Sequence, residues 1–198
     1  GPLEADRPVR IEWKGGMSYD AQKRSARFSG GVKAVQKQNS LRCETLDVAF
    51  GRQQNELKEV IASEKVRFEQ RVPSGLRTAD CARMVWSAKT GEVKLRAGDE
   101  GAVEMKMDRD RLSAQRVRFF PAKDKLLCPE AGRLVTFGKA DREGSSGAPL
   151  RVQWEKSMEF QRGEKPAAQF RGKVTAEHEH RKLRADLVDV VFDPEMNP

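Results

Sequence analysis

The residues able to do chemistry are few and poorly arranged for it. His178 and His180 stand two apart. On a strand that spacing puts both imidazoles on one face, which is how a metal site can begin. Glu177 and Glu179 would then point to the other face, and no third ligand stands nearby. Cys43, Cys81 and Cys128 have no C-x-x-C spacing and no histidine close in sequence, so zinc is not expected. Three cysteines cannot all pair internally. They read as small buried thiols, with one disulfide plus one free thiol as the alternative. Ser145 and Ser146 are flanked by glycines, but no Gly-x-Ser-x-Gly, P-loop or dinucleotide fingerprint occurs. Asp108 and Asp110 lie in Met-Asp-Arg-Asp-Arg, which reads as a charged hairpin turn. We therefore expect no catalytic residue, no metal and no cofactor, and the chain is not read as an enzyme.

Charge offers a second route to function. Lys plus Arg is 38 against 30 for Asp plus Glu, a net +8. Such a balance attracts polyanions: nucleic acid, anionic membrane or a phosphorylated glycolipid. The charge is not in blocks, however. It alternates with apolar residues, as in Val66-Arg67-Phe68 and Val117-Arg118-Phe119. That is the wet face of a half-buried strand, with Arg27, Lys33, Arg67 and Arg118 as generic examples. The aromatic residues fall on the opposite, inward phase, so nucleic acid is not an expected partner.

The elements that carry these residues have a period of two. Ala26, Phe28, Val32 and Ala34 share a phase, as do Val60, Ala62, Val66 and Phe68, then Val93 and Leu95, and later Phe170, Val174 and Ala176. This alternation predicts half-buried strands. Glycine and proline clusters punctuate them, and no segment carries a capped helical stripe; residues 53–65 fit either a short helix or a strand. Strands every 8–12 residues predict roughly fourteen to eighteen of them in an all-β chain. No apolar run reaches the ~18 residues of a spanning helix. The opening Gly-Pro-Leu-Glu resembles a protease-cleavage scar, so residues 1–9 read as a lead-in from which a signal peptide or anchor was cut. Residues 10–193 read as one folded unit, with a long loop or lobe boundary at 139–149, and 194–198 as a tail.

The chain also repeats itself. Residues 11–50 align with 152–192 after one inserted residue, Glu164. Trp13 meets Trp154, Met17 meets Met158, Tyr19 meets Phe160, Phe28 meets Phe170, Gly30 meets Gly172 and Val32 meets Val174. Further on, Leu41-Arg42 meets Leu183-Arg184, and Asp47-Val48 meets Asp189-Val190. A weaker copy runs from Ala62 through Val66 and Phe68 to Gln70, with Leu76-Arg77 taken as the counterpart of Leu41-Arg42. A unit with one apolar face cannot bury it alone, so stacked units must build the core.

Phe28-Ser29-Gly30-Gly31-Val32-Lys33-Ala34-Val35-Gln36, followed by Leu41 to Phe50 and by the later Leu183-Arg184-Ala185-Asp186, resembles the OstA-like family of lipopolysaccharide (LPS) transport. That family includes LptA, LptC and the periplasmic domain of LptD. The chain departs from the family pattern at Glu64-Lys65, where Gly-Asn is usual, and at His178, where Gln is usual, as a distant member would.

The resemblance implies an elongated antiparallel β-jellyroll, a β-taco, whose two sheets enclose an apolar groove. The groove candidates are Phe28, Val32, Val66, Phe68, Trp86, Phe119, Trp154, Phe170 and Val174. It implies non-enzymatic binding or transport of LPS, or of another anionic amphiphile, in the periplasm or cell envelope. Its implied partners are other OstA-like modules, through end-strand pairing, or further copies of the chain in a homo-oligomer. The alternative is a structural β-repeat scaffold segment of a larger envelope protein.

Overall fold

A computed structural model describes residues 7–51, 56–73, 75–99, 101–107, 109–137, 148–162 and 165–192. The loop expected at 139–149 lies outside the described residues except at its last two positions, and so do Asp108, Ser145, Ser146 and the tail 194–198.

Among the described residues sixteen strands form one continuous hydrogen-bonded array. The first are β1 (Arg10–Glu12), β2 (Met17–Asp20), β3 (Ser25–Gln36), β4 (Asn39–Phe50), β5 (Leu57–Val72) and β6 (Gly75–Ser87). Short strands follow: β7 (Val93–Arg96), β8 (Val103–Met107), β9 (Asp110–Ala114), β10 (Arg116–Phe120), β11 (Lys125–Cys128) and β12 (Gly132–Thr136). The last are β13 (Leu150–Trp154), β14 (Ser157–Gln161), β15 (Ala167–His178) and β16 (Arg181–Val191). Residues 57–65, which also suited a helix, are strand, because Leu57, Val60 and Ala62 all face the core.

The array is folded along one crease. Each long strand changes register in its middle, and the short strands break there instead. In β3 the change lies between Ser29 and Val32, in β5 between Ser63 and Val66, and in β15 between Arg171 and Val174. Two residues on one strand oppose a single residue on the next at each place, which is a β-bulge. The bulged residues have left-handed backbones: Gly30 and Gly31 at φ 81° and 69°, Glu64 and Lys65 at 64° and 50°, Gly172 and Lys173 at 82° and 43°. Glycine adopts this region without strain; Glu and Lys do not. The Glu64-Lys65 departure noted in the sequence thus keeps the geometry while losing the residue type that suits it.

Two arms result. On the first, β6 continues through β8, β9, β12 and β13 to β15; on the second it continues through β7, β10, β11 and β14 to the same β15. The array therefore closes laterally between β6 and β15. Beyond β6 lie β5, β4, β3 and then the β1–β2 pair, whereas beyond β15 lies β16 alone.

Register aligns the inward residues into rows. One runs on the second arm as Tyr19, Ala26, Val48, Val60, Trp86, Val93, Phe119, Leu126, Phe160, Ala168 and Val190, each opposite the next. Its counterpart on the first arm runs from Ile11 through Ala34, Leu41, Phe68, Ala79, Met105, Leu112, Leu134, Val152 and Ala176 to Leu183. Residues of both arms belong to one buried cluster, so the thin core suggested by a low apolar fraction is a double layer of single strand faces. Pairing also corrects the weak repeat. Leu41 stands opposite Ala34, and in the middle copy Ala79, not Leu76, stands opposite Phe68.

Candidate functional site

The candidate site is the interior between the arms, and all nine groove candidates lie on its inward phase. Phe28 and Phe170 sit on the second arm near the crease, with Trp86 and Phe119 nearer its free margin. Val32, Val66, Trp154 and Val174 flank the crease on the first arm, and Phe68 lies farther out. They spread along the length of the molecule and do not converge on one point. Seven are fully buried, from Phe170 at 0% exposure to Phe28 at 7%; Phe68 and Phe119 are half-buried. Inward residues of both arms pack into one buried cluster, with Phe68, Met105, Phe119 and Leu134 half-buried along its margins.

Among the described residues, exposure of inward side chains is greatest at the two outer strands of the array. Trp13, Met17 and Tyr19 belong to the inward rows, yet they are 41%, 52% and 57% exposed. At the other end Leu183 is 52% exposed. These residues were aligned with core positions in the sequence. Their exposure follows from lying on the outer strands, which no further strand covers among the described residues. Among the described residues no strand pairs with the outer edge of β1 and β2, or with that of β16.

The margin of the first arm is polar. Gln36 stands opposite Asn39, Gln70 opposite Arg77 and His178 opposite Arg181. The Arg77 Nε is buried without a hydrogen-bond partner among the described residues. His178 ends β15, whereas His180 lies in the following turn after Glu179, whose φ is 53°. The two imidazoles therefore do not share a strand face as the spacing suggested. No group of three potential metal ligands exists among the described residues.

The outer faces carry the charge in ion pairs, some across strands and some within one. Arg27 meets Asp47 at 2.6 Å, Arg67 meets Glu69 at 2.8 Å and Asp80 at 3.3 Å, and Arg118 meets Glu92 at 2.6 Å. The Arg67 guanidinium holds the Glu69 carboxyl below its ordinary range. Arg116 does the same to Glu130 at the crease. Much of the cationic face is thus matched locally, as expected of a solvated sheet. The three cysteines are free thiols: Cys43 and Cys128 buried, Cys81 half-buried. Burial raises them, Cys43 to about 11 and both Cys81 and Cys128 to about 12.

A long antiparallel array bent along a crease and apolar within defines a repeat-built β-jellyroll. The family of LptA/(LptD N-terminal domain) LPS transport proteins matches residues 16–119, more than half of the 198 residues. The chain belongs to that family and has a role in LPS transport. The matched span runs from just before β2 through nearly all of β10; the copy at 152–192 lies outside it but repeats its residues. The crystal structure of LptH from Pseudomonas aeruginosa, described as the LptA homologous periplasmic component of the conserved lipopolysaccharide transport device, has a similar fold. It matches with a TM-score of 0.50 at 15% identity, over 59% of this chain and 78% of that one. A comparison with curated proteins found no match.

Proposed function

We propose that the chain carries LPS passively through the periplasm or envelope, with acyl chains between the arms and phosphate groups at the polar margin of the first arm. The observation behind this reading is the uninterrupted apolar row from Tyr19 to Val190. Such a row lets acyl carbons advance from strand to strand without meeting a desolvated polar group. Arg77 and Arg181 would meet phosphates by charge-assisted hydrogen bonds. The ends would join other modules of the family by strand addition, extending the rows into a neighbour. Loading requires the arms to part, because seven of the nine groove candidates are buried in the packed cluster.

That burial favours the second reading, a scaffold segment whose interior is only core. Photo-crosslinking separates the two. A benzoylphenylalanine at Phe68 or Phe119, which are half-buried at the inner margins, should label LPS, whereas one at Phe120 should not. Equal labelling at all three positions, or none at Phe68 and Phe119 while LptH labels under the same conditions, would sink the carrier reading.

A further inference from the structure

The internal repeat shows what an occupied end looks like. Trp13 and Trp154 hold the same place in the unit, and the backbones around them match. Lys14 and Gly15 donate to the Gly30 and Ser29 carbonyls at 3.0 Å; Glu155 and Lys156 donate to the Gly172 and Arg171 carbonyls at 2.8 and 3.0 Å. Trp13 lies 4.9 Å from Phe28 at 57°, and Trp154 lies 5.3 Å from Phe170 at 51°. The exposed indole is therefore already in the orientation of the covered one.

What covers Trp154 is specific. The end of β11, the turn after it and the start of β12 close over the ring. The indole Nε1 donates to the Glu130 carbonyl at 2.8 Å. Gly132 stands opposite Trp154. A Cβ on Gly132 would lie 2.5 Å from Cζ2 of the ring and 2.7 Å from the Ser113 carbonyl oxygen. Only glycine lets the backbone come that close. Trp13 has no acceptor for its N–H among the described residues.

We propose that the β1–β2 end selects its partner through Trp13. The occupant is a kinked strand pair of another protein that presents a glycine over the ring and a backbone carbonyl to the indole N–H. This rests on the end-pairing reading above and deepens it. A second copy stacked in the same register does not meet the requirement. Its edge strand β16 brings Ala185, not glycine, to the corresponding inward place and runs parallel to β1–β2, whereas β12 covers Trp154 as an antiparallel strand.

The test uses the whole chain labelled with fluorotryptophan, whose Trp13 fluorine resonance is assigned through Trp13→Phe. The probe is a synthetic peptide copying residues 125–136, with Cys128→Ser to avoid oxidation. The Trp13 resonance should shift to saturation, and the Gly132→Val peptide should bind about tenfold more weakly, as overpacking against a fixed ring demands. Equal affinity of the two peptides overturns the glycine requirement and leaves end pairing standing. No shift with either overturns end pairing at this edge, and the proposal with it. A peptide copying 181–191 that moves Trp13 as strongly as the first overturns the proposal in favour of a second copy.

Discussion

Trp13 and Trp154 are the same residue of one repeated unit, held against Phe28 and Phe170 at nearly the same angle, yet one is 41% exposed and the other 2%. The difference is set by what lies beside each. Trp154 has a neighbouring strand pair over it, and none of the described residues forms one over Trp13. A repeat array makes every interior unit a model for its own termini, because each interface between units is built alike.

The two tryptophans should therefore differ in what they contribute to folding. Trp154→Ala removes a buried ring and its hydrogen bond, and should cost about 3–5 kcal/mol. Trp13→Ala loses only part of a buried surface and should cost about 1–2 kcal/mol. Urea unfolding with an unchanged slope would measure both. Similar losses at the two sites would mean that Trp13 is already covered in solution.

The crease allows a sharper comparison among glycines. Gly31 at φ 69° has open space where a Cβ would go, whereas a Cβ on Gly30 would lie 2.6 Å from the Gly15 backbone nitrogen. Gly31→Ala should cost about 1–2 kcal/mol from the left-handed backbone alone. Gly30→Ala should add about 1–3 kcal/mol for the backbone collision. Denaturation midpoints that rank the two in reverse would show that the bulge can rearrange.

Glu64 gives the converse case. It holds φ 64° without being glycine. Relief of about 1–2 kcal/mol of left-handed strain should outweigh the roughly 0.5–1 kcal/mol of extra chain entropy that glycine loses on folding. Glu64→Gly should raise the melting temperature. A fall would mean that the Glu64 side chain contributes more than its backbone conformation takes away.

Much of this arrangement could be read from the residues. The alternation of Phe28, Val32 and Ala34 names the inward face without any structure, since a strand's side chains alternate. Gly30-Gly31 reads in the sequence as a turn signal, but it is a bulge inside β3, and Gly172 is its counterpart inside β15. Glu64-Lys65 carries no glycine signal at the third bulge, because there the geometry is imposed by strands on both sides and not by residue type. Leu76-Arg77 misled because the β5–β6 hairpin runs on to the Val72–Gly75 pair; the longer hairpin displaces the matching position to Ala79. The short strands from β7 to β14 depend on partners far off in sequence, such as Cys128 opposite Met158, and local pattern carries no such information. Closure of the arms was also out of reach, since an inward aromatic looks the same in a core and in a groove wall.

The buried thiols can report whether the arms part. Cys128 is fully buried on the inward face and Cys43 nearly so. In the unfolded chain a thiol ionises near the ordinary 9.0, but in the fold Cys43 holds its proton to about 11 and Cys128 to about 12 because burial disfavours the thiolate. The stability that accompanies these raised values is complete below about pH 9 and is lost as pH climbs from there toward 11–12. Cys128→Ala should flatten the decline of the urea midpoint over that window, and an unchanged slope would show that its thiol is accessible to water. At pH near 8 iodoacetamide can reach Cys128 only through an opening, since the thiolate is the nucleophile. If the interior admits acyl chains, Cys128 should label faster than the whole chain unfolds, as a sub-global opening would allow. Labelling that merely keeps pace with global unfolding would mean that the arms stay shut, and LPS would then have to travel along the margins and outer strands, where Phe68, Phe119, Trp13, Met17, Tyr19 and Leu183 are within its reach.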